Sequence, residues 1–381
     1  MTHILLLLLL PLLLASSTPG RRTNTSRSLS LQPIPELMAN LYRQYDVLFL
    51  GESHRIKQQV EFVSSLIPVL QEQGVHVLFY EFTNYSDTRL SDSLLTAPDY
   101  NEKLVYDMLR RSEWDWAWQE YADNFRAAWE VNRHRKAGEP PFRIIGVMPD
   151  INYEAIQTPE DWNNHDKKRA FWDFEHNKTW LQVIETEALD RGQKALVYCG
   201  LHHAFSKFRH PIVIDGKFIR FENDREGTAC YLKYPARTAT IYLYAPLSRK
   251  PELGVAFMRP FNGVIDSVTA SLPQQQRTYG FITTESPLGN RTDTLTYYTM
   301  GYGSIRLKDL ADAVIVPGPV DQYQTATLIP GFIEEKDLPE VIRQAWPYEW
   351  TRDWTVKSAN DTLARWCELE KETLIRMNSE E

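Results

Sequence analysis

The chain reads as an α/β protein with a mainly parallel or mixed central sheet flanked by helices, in a single domain. Three observations predict this class. Short apolar runs recur at residues 46–50, 75–80, 142–147 and 194–199, the pattern of strands buried on both faces. Segments with three- and four-residue apolar spacing stand between several of them, as helices with one buried stripe require. A strand, a helix and a strand in that order make a βαβ unit with parallel strands.

The elements follow in chain order. Residues 46–50, Asp-Val-Leu-Phe-Leu, run into Gly51. Helical spacing continues over residues 56–73 through Ile56, Val60, Val63, Ile67 and Leu70, and Gly74 stops it. Residues 75–80 form the second strand. Trp114, Trp118, Tyr121, Phe125, Ala128 and Trp129 then recur at helical steps. They predict one long helix whose aromatic stripe packs in the core, ended by Gly138, Pro140 and Pro141. Residues 142–147 are the third strand. Residues 159–190 read as mostly helical, with many charges on an exposed face. Residues 194–199 are the fourth strand, closed by Gly200. Beyond it, 240–244, 279–283 and 313–316 are strand candidates, and 337–345 and 358–377 carry helical patterns. No internal repeat is visible, and no low-complexity tract follows residue 30.

The N-terminus predicts export. Ile4 to Leu14 is apolar apart from Pro11, and the small residues Ala15, Ser16 and Ser17 follow. A membrane span takes ~20 apolar residues, so this run suits a secretory signal peptide over residues 1–17. Residues 18–30, rich in Thr, Ser and Arg, read as a flexible segment. Residues 31–381 form the single α/β domain of a secreted or periplasmic protein. No second long apolar segment occurs, so no membrane span is expected in the mature chain. The formal net charge is −8, which argues against a nucleic-acid partner, since phosphate binding needs a basic surface. Cys199, Cys230 and Cys367 allow one disulfide or none, and Cys199 reads as a buried small hydrophobe. Glycosylation sequons occur at Asn24, Asn84, Asn177, Asn290 and Asn360.

Chemistry concentrates at the strand ends, where open α/β sheets bind ligands. The first strand runs into Gly51-Glu52-Ser53-His54, the second into Glu81, and the fourth into Gly200-Leu201-His202-His203. If these strands are parallel neighbours, Glu52, His54, Glu81 and His203 meet on one edge. His54 would sit near the start of the following helix, whose N-terminal dipole would keep the ring neutral, as a general base requires. Glu52 or Glu81 could accept from that ring and set its tautomer. Ser53 is rejected as a nucleophile, because Gly-Glu-Ser-His is not a Gly-x-Ser-x-Gly elbow. His76 reads as structural; His134, His165, His176 and His210 read as surface residues.

With these motifs in place, the segment from Asp46 to Glu81 resembles the superfamily of the erythromycin esterases, the TIKI/TraB proteases and the ChaN-type haem-binding uptake proteins. Its members carry a strand, a Gly-Glu-x-His-type turn, a helix, and a strand ending in Glu. A second family motif, a strand followed by Gly-x-x-His, is similar to residues 194–203, with His203 at the matching position. The segment Leu310-Ala-Asp-Ala-Val-Ile-Val316 is similar to a late family strand entered through Ala-Asp. Leu201 stands where the esterases tend to carry Asn, and the Gly that follows their first His is absent.

The expected activity is hydrolysis of an ester or amide bond in a small-molecule or peptide substrate. His54 acts as general base, Glu52 and Glu81 orient it and the water, and His203 donates to the oxyanion. The resemblance leaves the cofactor open. A divalent ion held by Glu52, His54, Glu81 and His203 is one variant, as in the TIKI proteases. The alternative function is binding of haem or another small ligand, as in ChaN.

Overall fold

The computed structural model describes residues 28–171, 176–253, 257–349 and 353–379. The expected signal peptide over 1–17 and most of the 18–30 segment thus lie outside the described residues. Within that segment, the Leu29 carbonyl accepts from Ser286 Oγ.

The helices are α1 (Ile34–Gln44), α2 (Lys57–Glu72), α3 (Thr88–Thr96), α4 (Glu102–Ser112), α5 (Gln119–His134), α6 (His165–Phe171), α7 (His176–Glu187), α8 (Leu201–Ala204), α9 (Glu226–Lys233), α10 (Val264–Ser271), α11 (Leu307–Leu310), α12 (Leu338–Glu349) and α13 (Val356–Ser379). The central sheet uses β1 (Val47–Glu52), β2 (Val77–Asn84), β3 (Arg143–Met148), β4 (Ala195–Gly200), β7 (Thr238–Leu243), β10 (Tyr279–Ile282) and β13 (Ala313–Val316). Small antiparallel ribbons pair β5 (Pro211–Ile214) with β6 (Lys217–Phe221), β8 (Leu247–Ser248) with β9 (Phe257–Met258), and β11 (Thr292–Asp293) with β12 (Ile305–Arg306).

The sheet order is β10-β13-β7-β1-β4-β2-β3. All neighbours are parallel except β10, which runs antiparallel on the edge. The predicted α/β class, with a mainly parallel sheet flanked by helices, is therefore the one observed. Strand residues alternate between two buried layers, as the two-residue period requires. Leu48, Leu50, Leu78, Tyr80, Leu196 and Tyr198 face the layer of α1 to α5. Val47, Phe49, Val77, Phe79, Val197 and Cys199 face Trp180, Val183 and Ile184 of α7 and Cys230 of α9. All three cysteines are buried free thiols.

The connections open a crevice. After β1 the chain passes to α2, and after β2 to α3, both packed on the first layer. After β4 it passes through Ala204 toward α9, on the opposite layer. Neighbouring strands that feed opposite faces leave a gap beyond their carboxyl ends, where ligands enter this architecture.

Two expectations need correction. The tryptophan-rich segment is not one helix: α5 starts only at Gln119. Ahead of it the backbone pairs with the C-terminal part of the chain, through a bridge between Trp118 and Leu328 and a bond from Ile329 N to Ala117 O. Trp114, Trp116 and Trp118 are buried, so the apolar spacing reported burial while tertiary pairing decided the conformation. His210 is also no surface residue, being 4 % exposed. It lies under Tyr297 and Tyr298, contacts that its charged sequence neighbours do not announce.

Candidate active site

The register assembles the site. Glu52 lies opposite Gly200 across β1 and β4. Tyr80 lies opposite Tyr198 across β2 and β4, so Glu81 falls one residue beyond that pair. Glu52, Glu81 and the loop after Gly200 thereby reach the same edge. The four residues singled out in the sequence, Glu52, His54, Glu81 and His203, are brought together there.

One half of the site lies on the α1–α5 layer. Glu52 is buried, and its Oε1 is 2.7 Å from His54 Nδ1. Oε1 also accepts from Tyr121 OH at 2.6 Å, and Oε2 accepts from Tyr198 OH. A buried carboxylate needs such donors, because an unpaired charge away from water is very costly. The His54 ring packs edge-on against Phe82 and Trp116, at centroid distances of 5.8 and 5.3 Å. Behind it, Arg55 has φ of 67°, a left-handed conformation that non-glycine residues rarely adopt. Three bonds hold that turn: Arg55 N donates to Tyr121 OH at 3.0 Å, and its guanidinium pairs with Asp115 at 2.6 Å and Glu370 at 3.1 Å. Gln59 extends the tether, accepting from Ser53 N and donating to the carbonyls of Leu243 and Tyr244.

The other half lies on the opposite layer. Glu81 Oε2 accepts from Gly200 N at 2.6 Å, and Oε1 is 3.4 Å from His203 Nε2. His203 Nδ1 is 2.7 Å from Glu226 Oε2, and its ring stacks on Trp180 at 5.4 Å. The halves meet over Gly200. A Cβ there would stand 2.7 Å from both Cε1 and Nε2 of His54, so only glycine lets the ring come this close. Gly51 does the same for α8: a Cβ would crowd Leu201 and Ala204 at 2.8 and 2.9 Å.

The charges separate the two imidazoles. Burial acts to lower the pKa of His203, but the carboxylates of Glu226 and Glu81 outweigh it and raise it to about 9. His203 is thus an imidazolium at neutral pH. Burial also acts against protonation of His54, and the hydrogen bond to Glu52 with the charges of Glu81 and Glu52 again prevails. Its pKa is raised. The expected neutralising influence of a helix N-terminus is overridden, because His54 lies in the turn before α2 and beside two carboxylates. Glu113 follows α4, and burial first, then Asp115 and Glu81, raise its pKa to about 8.

A cavity of about 240 Å³ opens on this centre, lined by Ser53, His54, His202, His203, Tyr242 and Tyr298 among others. The four predicted residues do not form a ligand set for a divalent ion. Both His203 nitrogens face carboxylates, and among the described residues no three His, Cys, Asp or Glu side chains converge on one ion position.

Sequence reasoning missed Glu226, Tyr121, Tyr198 and Glu113. Tyr198 was readable only as a strand residue and Tyr121 only as a core aromatic. A buried tyrosine hydroxyl usually finds a partner, but the partner's identity depends on strand order. Glu226 lies far along the chain from His203 and carries no motif.

Fold and site define a class: an α/β protein with a histidine–carboxylate centre at the carboxyl edge of a parallel sheet. No family model matches the chain, and no curated protein matches it. Solved structures similar to it include the type III effector HopBA1, at 17 % identity and TM-score 0.36 over 57 % of this chain and 87 % of that one. A Bacillus cereus protein is similar at 11 % identity and TM-score 0.44, over 74 % of this chain and 92 % of that one. ChaN of Campylobacter jejuni, described with cofacial haem binding, is similar at 12 % identity and TM-score 0.34, over 55 % of this chain and 86 % of that one. These are distant likenesses of fold, and no residue role is carried over from them.

Proposed function

We propose that the chain is a hydrolase of an ester or amide bond, with His54 as general base. The observation that carries this reading is the Glu52–His54 pair at 2.7 Å, with the other ring nitrogen turned toward Gly200 at the cavity. Glu52 accepts from Nδ1–H and so fixes the tautomer that leaves Nε2 free to take a proton. A water held at Nε2 gives that nitrogen a proton as it attacks the substrate carbonyl; the tetrahedral intermediate then collapses by breaking the ester C–O or amide C–N bond, and Nε2 passes the proton to the leaving group. His203, cationic near neutral pH and facing carboxylates through both nitrogens, stabilises the developing oxyanion by its charge. Glu81 holds Gly200 N and faces His203, which keeps the two halves in register. No step runs through a metal ion, since the donor set does not suit one.

The motif order supports placing the chain, as a proposal, in the superfamily of erythromycin esterases, TIKI/TraB proteases and ChaN-type proteins. The haem reading is disfavoured by charge: Glu52 and Glu81 are buried at this centre, and an apolar haem pocket gains little from two buried carboxylates.

The test is a screen of ester and peptide substrates with wild type beside His54→Ala. The expected loss is about 10²–10⁴-fold in kcat, with the circular dichroism spectrum unchanged. The rate rises with pH as His54 loses its proton, above the ordinary histidine range, and falls again as His203 deprotonates near pH 9. Full activity in His54→Ala removes the general-base assignment. A Soret band in the purified protein, lost in His54→Ala, puts haem binding in its place.

A further inference from the structure

One group beside the cavity is left unexplained by the His54 centre. His210 is 4 % exposed, and neither ring nitrogen has a hydrogen-bond partner. Buried polar groups in folded proteins are nearly always paired, so an orphan of this kind points to a partner from outside the chain, an ordered water or a bound group. The ring centroid lies 4.1 Å from that of His202, and His202 lines the cavity. Arg225 supplies a second orphan, its buried Nε also being without a partner.

The surroundings decide the sign of the missing partner. The positive charge of Arg225 acts on His202, His203 and His210 alike. The carboxylates near Arg225 are already engaged: Glu222 pairs with Arg220 at 2.9 Å and shares a hydrogen bond with Asp224, and Glu226 pairs with His203 at 2.7 Å. Burial, and then the neighbouring cations, hold His202 and His210 neutral, His210 with a pKa near 4. Each neutral imidazole still offers one N–H donor. Tyr298 OH lies 2.8 Å from His202 Nε2 and links the pair to the cavity wall. A metal cation entering here would meet the repulsion of Arg225 and His203. An oxyanion would find N–H donors, a guanidinium and aromatic walls from Phe205 and Tyr298, the conditions under which charge-assisted hydrogen bonds are strongest.

We propose that Arg225, His202 and His210 form an oxyanion-binding subsite behind the cavity wall, entered past His202, the one of the three that lines the cavity. It holds a phosphate or carboxylate group of the substrate while the scissile bond lies at His54. The role in orienting substrate rests on the hydrolytic reading; the binding itself does not.

The experiment is a titration of the histidine-labelled full chain with sodium phosphate and, separately, sodium acetate, with acetamide as the neutral control. The readout is the histidine ring Cε1–H resonances, assigned with His202→Gln and His210→Gln. Saturable shifts of His202 and His210 are expected with at least one anion and not with acetamide, and the tighter anion identifies the charged group. Arg225→Gln should weaken binding by about tenfold or more, the usual worth of a hydrogen bond to a charged group. Arg225→Lys should keep part of it, and His54→Ala should leave it unchanged. Resonances unmoved by both anions, or Arg225→Gln binding as wild type does, overturn the subsite. Hydrolysis without anion binding removes this proposal alone, whereas anion binding without hydrolysis of any substrate removes the proposed activity alone.

Discussion

Replacing His203 by glutamine should change how stability depends on pH, because the imidazolium of His203 is bound between two carboxylates. Its ordinary pKa of 6.5 is raised to about 9 in the folded chain. At about 1.4 kcal/mol per tenfold change in proton affinity, that difference amounts to about 3 kcal/mol. The sign follows from proton counting. Between pH 6.5 and about 9 the folded state keeps a proton that the unfolded state has lost, so stability falls as pH rises. The contribution is complete below the unfolded value and gone above the folded one. Glu113, with its pKa near 8, acts in the same direction, as does His54, so wild type alone is not diagnostic. The assay is urea unfolding of wild type, His203→Gln and Glu113→Gln across this range. Wild type should lose stability by about 3 kcal/mol more than His203→Gln does, while Glu113→Gln should keep the His203 component. Parallel pH profiles for wild type and His203→Gln would refute the idea that His203 is an imidazolium held by Glu81 and Glu226.

Three further outcomes are expected. Gly200→Ala places a Cβ 2.7 Å from the His54 ring; displacing the ring by about 1 Å should cost about 100-fold in kcat, and unchanged turnover would show that the ring position is immaterial. Tyr198→Phe removes a donor from the buried Glu52 carboxylate and should destabilise the fold by about 1.5–3 kcal/mol in urea titrations; an unaltered midpoint would mean that the hydroxyl is not bonded to a charged acceptor. In a secreting host, the recovered protein should begin near Thr18, because Ala15 and Ser17 are small where a signal peptidase reads; Met1 retained in a membrane fraction would favour an anchor.

Much of the skeleton was legible in the chain itself. The strands expected at 46–50, 142–147, 194–199 and 313–316 correspond to β1, β3, β4 and β13 within two residues at each end, since a run buried on both faces is apolar throughout. Helix α2 was legible for a related reason: one buried stripe imposes its period on the residues that form it. Gly51 and Gly200 marked the carboxyl ends of β1 and β4, and the polar residues beside them marked the edge. Local chemistry sufficed for these because each depends on neighbours in sequence.

What lay beyond reach depends on neighbours in space. Nothing in residues 195–200 says that β4 inserts between β1 and β2, yet that insertion sets Gly200 beneath His54 and Tyr198 against Glu52. The charge states of His54 and His203 depend in turn on which carboxylates the fold brings near. Glu226 is far from His203 along the chain, and His210 looks exposed until Tyr297 and Tyr298 close over it. Hydrophobic periodicity records whether a residue is buried, and a glycine at a strand end records where something must approach the backbone closely. Strand order, side-chain partners and electrostatic potential are sums over the whole packed chain, so tertiary structure alone decided them.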